Sequence, residues 1–426
     1  MRVTLVNPAW DFAGSIYFGC REPHLPLELG YAAALLRRRG HEVCLLDGRL
    51  DGCGNAALAD AVADFGADMT VVTTAPTYLF WRCPPPELRI PRAFLACLGA
   101  RGGCTVAVGP HGSATPGAVL RKLGVDVVVR GECEEVVAAL ADGTTAAGTA
   151  VLRAGEAVLH GPPAAARFTD AAPLRWPEAW IQRHLHHHHR FEGPPRGAGA
   201  EVEASRGCPY SCSFCAKTDY RDRYRRRDLG LLVQEIDILQ RQGVNYIYFI
   251  DEIFLPWREL LVELAARRLV FGVQTRIDLW KPEMIELLGQ AGCVSIEAGV
   301  ESLTEAGRAA LDKACRMDTD ALAGRLILAR RHVPFVQANL IATEADDPAL
   351  VAAWRAKVQR EGVWANDPVP LYPYPSSPDY RRLFGAPDDA AWERAHGHYL
   401  DRVTRFSDIQ DGTPRPLAEL EAACGR

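Results

Sequence analysis

The stretch Arg206-Gly-Cys-Pro-Tyr-Ser-Cys-Ser-Phe-Cys215 places three cysteines in a CxxxCxxC spacing. Thiolates this close together can each bind one iron of a cubane iron–sulfur cluster. The fourth iron then has no protein ligand and is open to a substrate. The spacing therefore predicts that Cys208, Cys212 and Cys215 hold a [4Fe-4S] cluster with one open iron.

Other uses of a cysteine triplet fit this sequence less well. A structural zinc site usually has two CxxC pairs, or one pair with two distant histidines, and this sequence has no second CxxC pair. A ferredoxin pattern needs a fourth cysteine in a nearby run. A disulfide is not expected, because no secretory signal precedes the chain and intracellular thiols stay reduced. Inert buried cysteine explains the scattered cysteines better than it explains this triplet.

Length and charge limit the remaining possibilities. The chain has 426 residues and a formal net charge of −5, which suits two or three domains and gives no broad basic face for nucleic acid. No apolar run is long enough to span a bilayer. The first residues, Met1 to Asn7, have the composition of a core strand rather than of a targeting segment. We therefore expect a cytoplasmic protein that binds neither nucleic acid nor membrane, and we make no prediction of its oligomeric state.

Residues 1–141 alternate short β-branched runs with helical patterns. The predicted strands are Val3–Val6, Val43–Leu46, Thr70–Thr73, Val106–Val108 and Val127–Val129. Such alternation predicts a doubly wound, Rossmann-like parallel sheet, whose ligand lies beyond the carboxyl ends of the strands. Small and polar residues follow those ends: Asn7-Pro8, Asp47-Gly48, Thr73-Thr74, Gly109-Pro110-His111 and Gly131-Glu132.

Residues 142–199 read as a connecting region rich in alanine, glycine and proline, with a strand-like Thr149–Leu152. This region contains the histidine-rich run His184-Leu-His-His-His-His189. A run of this kind can bind metal, but a solvated or interface-packed linker is the more economical interpretation.

A second alternation of strands and helices occupies residues 200–378. Its predicted strands are Val202–Ser205, Tyr246–Ile250, Val270–Thr275, Val294–Ala298, Phe335–Ile341 and Val369–Tyr374. Six such units predict a partial (β/α)6 barrel, with its active site at the carboxyl ends of the strands. Residues 379–426 are predicted to form a small helical region. The basic run from Arg221 to Arg227 reads as a solvated face or as a helix start with paired aspartates, or alternatively as a site for an anionic substrate.

The cysteine loop, which follows a strand and precedes a helix, resembles that of the radical S-adenosylmethionine (SAM) enzymes. The resemblance implies a SAM-derived 5′-deoxyadenosyl radical generated at the open iron. It also implies SAM contacts from Phe214, inside the loop, and from polar groups at the ends of the next strands. These are Asp251 and Glu252, Gln274 and Arg276, and Glu297 and Glu301 in the segment Glu297-Ala-Gly-Val-Glu-Ser302.

The first half resembles the cobalamin-binding domain of the cobalamin-dependent branch of that family. Asn7-Pro8, Pro26-Leu-Glu-Leu-Gly30 and the Gly109-Pro-His loop carry the resemblance, together with Tyr372-Pro-Tyr-Pro375 in the second half. It implies that the polar strand ends named above contact cobalamin: Asn7, Pro8, Asp47, Arg49, Thr73, Thr74, Gly109, His111, Gly131 and Glu132.

One position departs from the pattern of cobalamin domains. Where many of them have DxHxxG, with a histidine that binds cobalt from below, this chain has Asp47-Gly-Arg-Leu-Asp-Gly52. Arg49 occupies the histidine position, and a protonated guanidinium has no lone pair for a metal. We therefore expect cobalamin to bind base-off, without a histidine below the cobalt.

The resemblance implies a C-methyltransferase that transfers a methyl group from methylcobalamin to an unactivated carbon of a small metabolite. An external donor of the flavodoxin or ferredoxin type would reduce the cluster. The same architecture would also serve a rearrangement, cyclisation or oxidation without methyl transfer. A methylthiotransferase would need further N-terminal cluster cysteines. A non-catalytic redox or cobalamin sensor is the alternative of another class.

Overall fold

The computed structural model describes residues 1–16, 22–76, 84–184, 197–403 and 414–422. The strands of the first sheet are β1 Arg2–Asn7, β2 Glu42–Asp47, β3 Met69–Thr73, β4 Cys104–Val108, β5 Val127–Val129, β6 Thr149–Arg153 and β7 Glu156–His160. The helices of this part are α1 Leu27–Arg38, α2 Asn55–Phe65, α3 Arg89–Leu98, α4 Pro110–Ala114, α5 Pro116–Leu123, α6 Glu134–Ala141 and α7 Glu178–Arg183.

The first sheet has the strand order β2-β1-β3-β4-β5-β6-β7, and its first five strands are parallel. All five residues of β3 are buried, as expected of a strand covered by helices on both faces. This confirms the predicted Rossmann-like sheet. The order reverses between β1 and β3, which is where such sheets bind their ligands.

The sheet continues into the segment that the sequence assigned to a connecting region. Strand β6, predicted as Thr149–Leu152, pairs antiparallel with β5 and forms a hairpin with β7. The hairpin turns at Ala154 and Gly155, whose φ values of 50° and 85° match the two-residue turns that suit a twisted hairpin. The first sheet therefore extends to His160.

The second half contains β8 Ala198–Val202, β9 Ser205–Arg206, β10 Arg225–Arg226, β11 Val244–Phe249, β12 Val270–Thr275, β13 Cys293–Glu301, β14 Phe335–Leu340 and β15 Trp364–Ala365. Its helices are α8 Leu229–Arg241, α9 Arg258–Arg267, α10 Pro282–Gln290, α11 Glu305–Ala310, α12 Thr319–His332 and α13 Pro348–Arg360. Six strands form a parallel sheet in the order β15-β14-β13-β12-β11-β8. These strands lie side by side in the order in which they occur in the chain, as they do in a β/α barrel. This order confirms the predicted partial barrel.

The last strand of this sheet lies earlier than predicted. Strand β15 is Trp364–Ala365, whereas the predicted Val369–Tyr374 contributes only an isolated bridge between Ile341 and Val369. The prediction of that strand was wrong because Pro370 and Pro373 interrupt it and Pro368 precedes it, and proline donates no ladder hydrogen bond. The first strand also ends earlier than predicted, at Val202, and Ser205 belongs to β9.

One apolar core runs through both halves of the molecule. Tyr31 of α1 and Phe168 belong to the same buried cluster as Val202 and Leu232 of the barrel. Three further helices, α14 Pro378–Phe384, α15 Ala391–Leu400 and α16 Leu417–Ala422, follow the barrel. All three contribute to a tyrosine-rich cluster that includes Ile16 of the first half. Within the described residues, every helix is too short or too polar to cross a membrane.

A glycine next to the first sheet provides a test of this packing. Gly131 has φ = 84°, and a Cβ there would lie 2.2 Å from the carbonyl oxygen of Ala164. Gly143 has a similar φ of 73° but open space around it. We expect Gly143→Ala to cost about 1–2 kcal/mol for the left-handed conformation alone, and Gly131→Ala to cost at least about 3 kcal/mol because the backbone must also shift.

Thermal and urea unfolding of the two variants, measured beside the wild-type chain, checks this expectation. Equal losses of stability in both variants would contradict the close approach of Gly131 to Ala164.

Candidate functional site

The loop that carries the three cysteines is closed at its base by a short ladder between β9 and β10. Gly207 begins the loop with φ = 77°, and a Cβ there would lie 2.2 Å from the carbonyl oxygen of Arg223. Only glycine fits this position. The thiols of Cys208, Cys212 and Cys215 are half-buried and form no disulfides.

The three sulfurs lie close enough to perturb one another. Burial, followed by the neighbouring Cys208 and Cys212 thiols, raises the pKa of the Cys215 thiol to about 12. A thiol in such a pocket becomes a thiolate readily only where a positive partner stabilises the negative sulfur, and a coordinated metal is such a partner. The loop therefore has the donor atoms and the crowding that suit an iron–sulfur cluster.

Two cationic side chains lie beside Cys212. Burial raises the pKa of the Cys212 thiol, Lys313 and Arg276 lower it, and Glu301 raises it. The guanidinium of Arg276 lies 4.2 Å from the ring centroid of Tyr210 in the cysteine loop and donates to the Lys313 carbonyl oxygen over 2.6 Å. Two predicted SAM contacts, Arg276 and Glu301, therefore lie at the cysteine loop.

Lys313 is a member of this group that the sequence reasoning missed. Its Nζ lies 3.1 Å from Oε1 of Glu301, and only 2% of the residue is exposed. Glu301 adopts φ = 65° at an irregularity in the pairing of β13 with β14. A non-glycine residue in this conformation stores strain, which is common at ligand sites. A single lysine outside any motif gives no signal in a sequence.

Asp251 and Glu252 brace the base of the cysteine loop. The Asp251 carboxylate accepts hydrogen bonds from the Ser205 hydroxyl over 2.5 Å and from the Ala204 amide over 2.8 Å. Glu252 accepts a hydrogen bond from the Gly207 amide over 2.9 Å. Burial raises the pKa of the Asp251 carboxyl well above its ordinary value. The SAM contacts predicted for these two residues stay predictions.

Gln274, Glu297 and Phe214 also lie in the second half. Gln274 of β12 is in register with Glu297 of β13, which is in register with Gln337 of β14. The three form a polar row across the sheet. The side-chain oxygen of Gln274 is buried and accepts no hydrogen bond within the described residues. Phe214 is half-buried in the loop. The roles predicted for Gln274, Glu297 and Phe214 stay predictions.

The ends of β1, β2 and β3 meet in one hydrogen-bonded cluster. The Asn7 amide donates to Asp47 over 2.6 Å, and its oxygen accepts from the Thr73 hydroxyl over 2.9 Å. The same oxygen accepts from the indole of Trp10 over 2.6 Å. Three predicted cobalamin contacts are therefore in direct contact at the point where the strand order reverses. Trp10 was missed because it belongs to no recognisable motif.

Asp47 organises the turn that carries Arg49. Its Oδ1 accepts hydrogen bonds from the amides of Arg49 and Leu50 over 2.9 and 2.8 Å. Burial raises the pKa of the Asp47 carboxyl to about 6. Gly48 lies so close to Ala9 that a Cβ would be 2.6 Å from the Ala9 backbone nitrogen. The turn is thus fixed beside the buried Pro8, and Arg49 is half-buried on it.

Thr74, Gly109 and His111 lie at the ends of β3 and β4. The Thr74 hydroxyl is buried and makes no hydrogen bond within the described residues, while its amide donates to Val108 over 2.8 Å. The His111 ring donates to the Pro85 carbonyl over 2.8 Å and stacks on Trp392 at a centroid distance of 4.3 Å. Burial lowers the pKa of His111 to about 3, so this ring is neutral.

The remaining two predicted cobalamin contacts lie where the two halves meet. Gly131 packs against the backbone of Ala164. Both carboxylate oxygens of Glu132 are engaged: Oε2 accepts from the Ala166 amide over 2.7 Å, and Oε1 lies 3.2 Å from Arg206. In the structure Gly131 makes packing contacts and Glu132 forms hydrogen bonds and ion pairs. Contact of either residue with cobalamin stays a prediction.

A buried network of arginines and glutamates joins the two halves around the cysteine loop. Arg206 contacts Glu134 at 2.6 Å and Glu203 at 2.8 Å. Glu203 also contacts Arg221 at 2.6 Å, and Arg221 contacts Glu28 of α1 at 2.9 Å. Although burial opposes it, the two arginines lower the pKa of the Glu203 carboxyl. Arg206 and Arg221 therefore tie the segment that carries the cysteines to helices α6 and α1 of the first half.

This network corrects the prediction of a solvated basic run at residues 221–227 in part: Arg223 and Arg226 are exposed, but the other three arginines are buried or half-buried in ion pairs. Arg221 and Arg227 are 1% and 2% exposed. Arg227 contacts Glu235 at 2.7 Å, and Arg225 contacts Glu132 at 2.8 Å. The partners of these arginines are glutamates, several of them distant in sequence.

Comparisons with known proteins agree with this division of the chain. A family model described as the B12 binding domain matches residues 20–141, and one described as the radical SAM superfamily matches residues 202–335. The chain therefore has a radical SAM domain preceded by a B12-binding domain. This arrangement agrees with the predicted resemblance to the cobalamin-dependent radical SAM enzymes.

Among curated proteins, the chain is similar to an uncharacterized methyltransferase of Pyrococcus horikoshii, with 25% identity over 71% of this chain and 66% of that protein. It is also similar to the anaerobic magnesium-protoporphyrin IX monomethyl ester cyclase of Cereibacter sphaeroides, with 24% identity over 72% of this chain and 51% of that protein. The chain thus matches about half to two-thirds of the length of these relatives.

Among solved structures, the fold is similar to that of the radical SAM methyltransferase TsrM from Kitasatospora setae with cobalamin and [4Fe-4S] cluster bound. The TM-score is 0.66 and the identity 20%, over 88% of this chain and 76% of that chain. It is also similar to the cobalamin-dependent radical SAM enzyme OxsB, with a TM-score of 0.64 and 16% identity over 80% of this chain and 49% of that chain. The family matches confirm the predicted cofactor set of cluster, SAM and cobalamin; the base-off mode of binding stays a prediction.

The buried ion network yields a stability prediction. Arg206→Met leaves Glu134 and Glu203 buried beside an uncharged side chain, and breaking one side of a buried ion pair costs about 3–5 kcal/mol. Arg101→Met serves as the matched control, because Arg101 pairs with Asp60 at 2.8 Å on the surface, where such a pair contributes about 1 kcal/mol or less.

Urea unfolding of both variants measures the difference. If Arg206→Met and Arg101→Met cost the same, the network does not hold the two halves together.

Proposed function

We propose that this protein is a cobalamin-dependent radical SAM C-methyltransferase that acts on a small metabolite. The observation that carries the proposal is the direct contact of the cysteine loop with helix α6 of the first half. Arg206, immediately before the loop glycine, contacts Glu134 of the first half at 2.6 Å. Such a contact keeps two cofactor sites in a fixed relation, and that suits a reaction that needs both at once.

When bound, the cluster and SAM supply a radical that removes hydrogen from carbon, and cobalamin supplies the methyl group. The residues of the chain bind and position these groups. The thiolates of Cys208, Cys212 and Cys215 would hold three irons. Lys313 and Arg276, beside Cys212, would offset the negative charge of the cluster or bind a carboxylate. A small reductant protein of the flavodoxin or ferredoxin type would deliver the electron.

The buried strand ends of the first sheet would hold cobalamin. Asn7, Asp47 and Thr73 fix the turn on which Arg49 lies, and the buried Thr74 hydroxyl has no hydrogen bond within the described residues. An unsatisfied buried hydroxyl costs free energy unless a ligand satisfies it. That cost supports a polar ligand at this edge of the sheet.

The second candidate is a cobalamin-dependent radical reaction without methyl transfer, such as a cyclisation. The similarity to the Cereibacter cyclase favours it. Methyltransferases recur among the relatives, including a bacteriochlorophyllide C-12(1)-methyltransferase of Chlorobaculum tepidum with 34% identity over 24% of this chain. Cyclases recur as often among these relatives, so methyl transfer is placed first because the match covers a larger share of the Pyrococcus methyltransferase, 66%, than of the Cereibacter cyclase, 51%.

An anaerobic assay with labelled SAM distinguishes the candidates. We expect the reconstituted chain, given reductant and candidate metabolites, to release 5′-deoxyadenosine and to add one labelled methyl group for every two SAM molecules consumed. Cys212→Ser should abolish deoxyadenosine formation, because the loop then has two thiolates for three irons. Cys293→Ser, at a buried cysteine outside the loop, is the matched control and should retain activity.

Each product pattern has a defined meaning. If deoxyadenosine forms but the product contains no additional methyl group, methyl transfer is refuted and the second candidate function is supported. A complete lack of deoxyadenosine in the wild-type chain would favour a sensor over an enzyme.

The Arg49 position makes a separate spectroscopic prediction. Methylcobalamin bound to the wild-type chain should have the absorption spectrum of the base-off form, because arginine cannot ligate cobalt. Arg49→His should shift that spectrum towards a histidine-ligated form, whereas Arg49→Gln should not. A histidine-ligated spectrum in the wild-type protein would refute the absence of a lower ligand.

A further inference from the structure

Three buried side chains from separate segments meet at a place that none of the proposed cofactor sites uses. His24 precedes α1, His184 follows α7, and Glu201 lies on β8 of the barrel. Their exposures are 6%, 1% and 2%. One potential ligand atom of each lies within 4.8 Å of the others.

The geometry of the group converges on one oxygen atom. Nδ1 of His24 lies 2.7 Å from Oε1 of Glu201, and Nε2 of His184 lies 2.9 Å from the same atom. The second oxygen, Oε2, accepts a hydrogen bond from the Leu25 amide over 3.1 Å. The carboxylate is therefore oriented by the backbone, as the ligands of metal sites commonly are.

We propose that His24, His184 and Glu201 bind a zinc ion. Two histidines and one glutamate are a known zinc ligand set, with bonds of about 2.0–2.2 Å and water in the fourth position. A tetrahedral ion with such bonds separates its ligand atoms by roughly 3.3–3.5 Å. The two imidazoles need to withdraw from Oε1 by only about half an ångström to admit the ion at these bond lengths.

A zinc ion at this position in the fold would have a structural role. It joins the entry to α1, the end of α7 and the first barrel strand. Helix α1 carries Glu28, which contacts Arg221 at 2.9 Å in the ion network beside the cysteine loop. Zinc would thus fix the start of α1 against the barrel, about one helical turn from the residue that binds the loop arginine.

The first residue of the histidine-rich run, His184, is one of the three proposed zinc ligands. His184 is buried and oriented towards Glu201. At this residue the linker is therefore packed against the rest of the protein and is not solvated. His186 to His189 lie outside the described residues and take no part in the proposal. Because they could bind zinc by themselves, the test has to remove them.

The test measures zinc in the full chain with its iron–sulfur cluster reconstituted, so that the loop cysteines are occupied. His186 to His189 are all replaced by glutamine. After dialysis against zinc chloride and gel filtration, mass spectrometry of the metal content should find about one zinc per chain, as expected for a single site. Glu201→Gln or His24→Gln in this background should weaken zinc binding by on the order of 100-fold, since losing even an outer partner of a ligand costs 10–100-fold.

His332→Gln provides the matched control, because His332 is an exposed histidine at the end of α12, and it should leave zinc binding unchanged. X-ray absorption at the zinc edge should show imidazole and oxygen ligands. It requires no substituted ligand and therefore remains informative if Glu201→Gln fails to fold.

Three results would overturn the proposal: no zinc in the reconstituted chain, equal affinity in the Glu201→Gln and His24→Gln variants, or sulfur ligands at the zinc edge. The first would mean that the group is a hydrogen-bonded triad without a metal. The first two results do not bear on the cysteine loop, so the proposed function is tested independently of them; the third would place the zinc on cysteines instead of on this group.

Discussion

The structure depends on the burial of two arginines, Arg206 and Arg221, between its two halves. An isolated charge in a protein interior costs many kcal/mol, so each arginine must be surrounded by carboxylates. Glu203 bridges the two arginines, while Glu134 and Glu28 come from the first half. Because these contacts are directional and desolvated, they allow the two halves only one arrangement. The cysteine loop begins one residue after Arg206, and Arg221 lies within it, shortly before the closing strand β10.

The same arrangement brings chemistry from distant segments to the cysteine loop. Arg276 follows β12, Glu301 ends β13 and Lys313 follows α11, yet all three act on the thiol of Cys212. In the first half, Asn7, Asp47 and Thr73 end three neighbouring strands and share hydrogen bonds. Parallel sheets place the carboxyl ends of their strands at one edge, which explains why each set gathers where it does.

The sequence predicted the parts of the fold that depend on local pattern. The β-branched runs of β1, β3 and β4, the alternation of strands and helices, and the CxxxCxxC spacing are all visible within short windows. The sixth barrel strand was misplaced because aromatic and branched residues around Val369 outweighed the prolines between them. Residues 221–227 were assigned to a solvated face because their partners are remote; Arg221 and Glu28 are 193 residues apart. Lys313 and Trp10 carry no local signal at all, since only the packed fold places them beside a site.

The central claim is that the three-cysteine loop holds an iron–sulfur cluster with one open iron. Its most direct test is an anaerobic titration of the purified chain with iron and sulfide, followed by paramagnetic resonance of the reduced protein. The account predicts about four irons per chain and a cluster signal that changes when SAM is added, because SAM binds the open iron. It is contradicted if no four-iron centre forms, or if the centre survives replacement of Cys208, Cys212 and Cys215 by alanine.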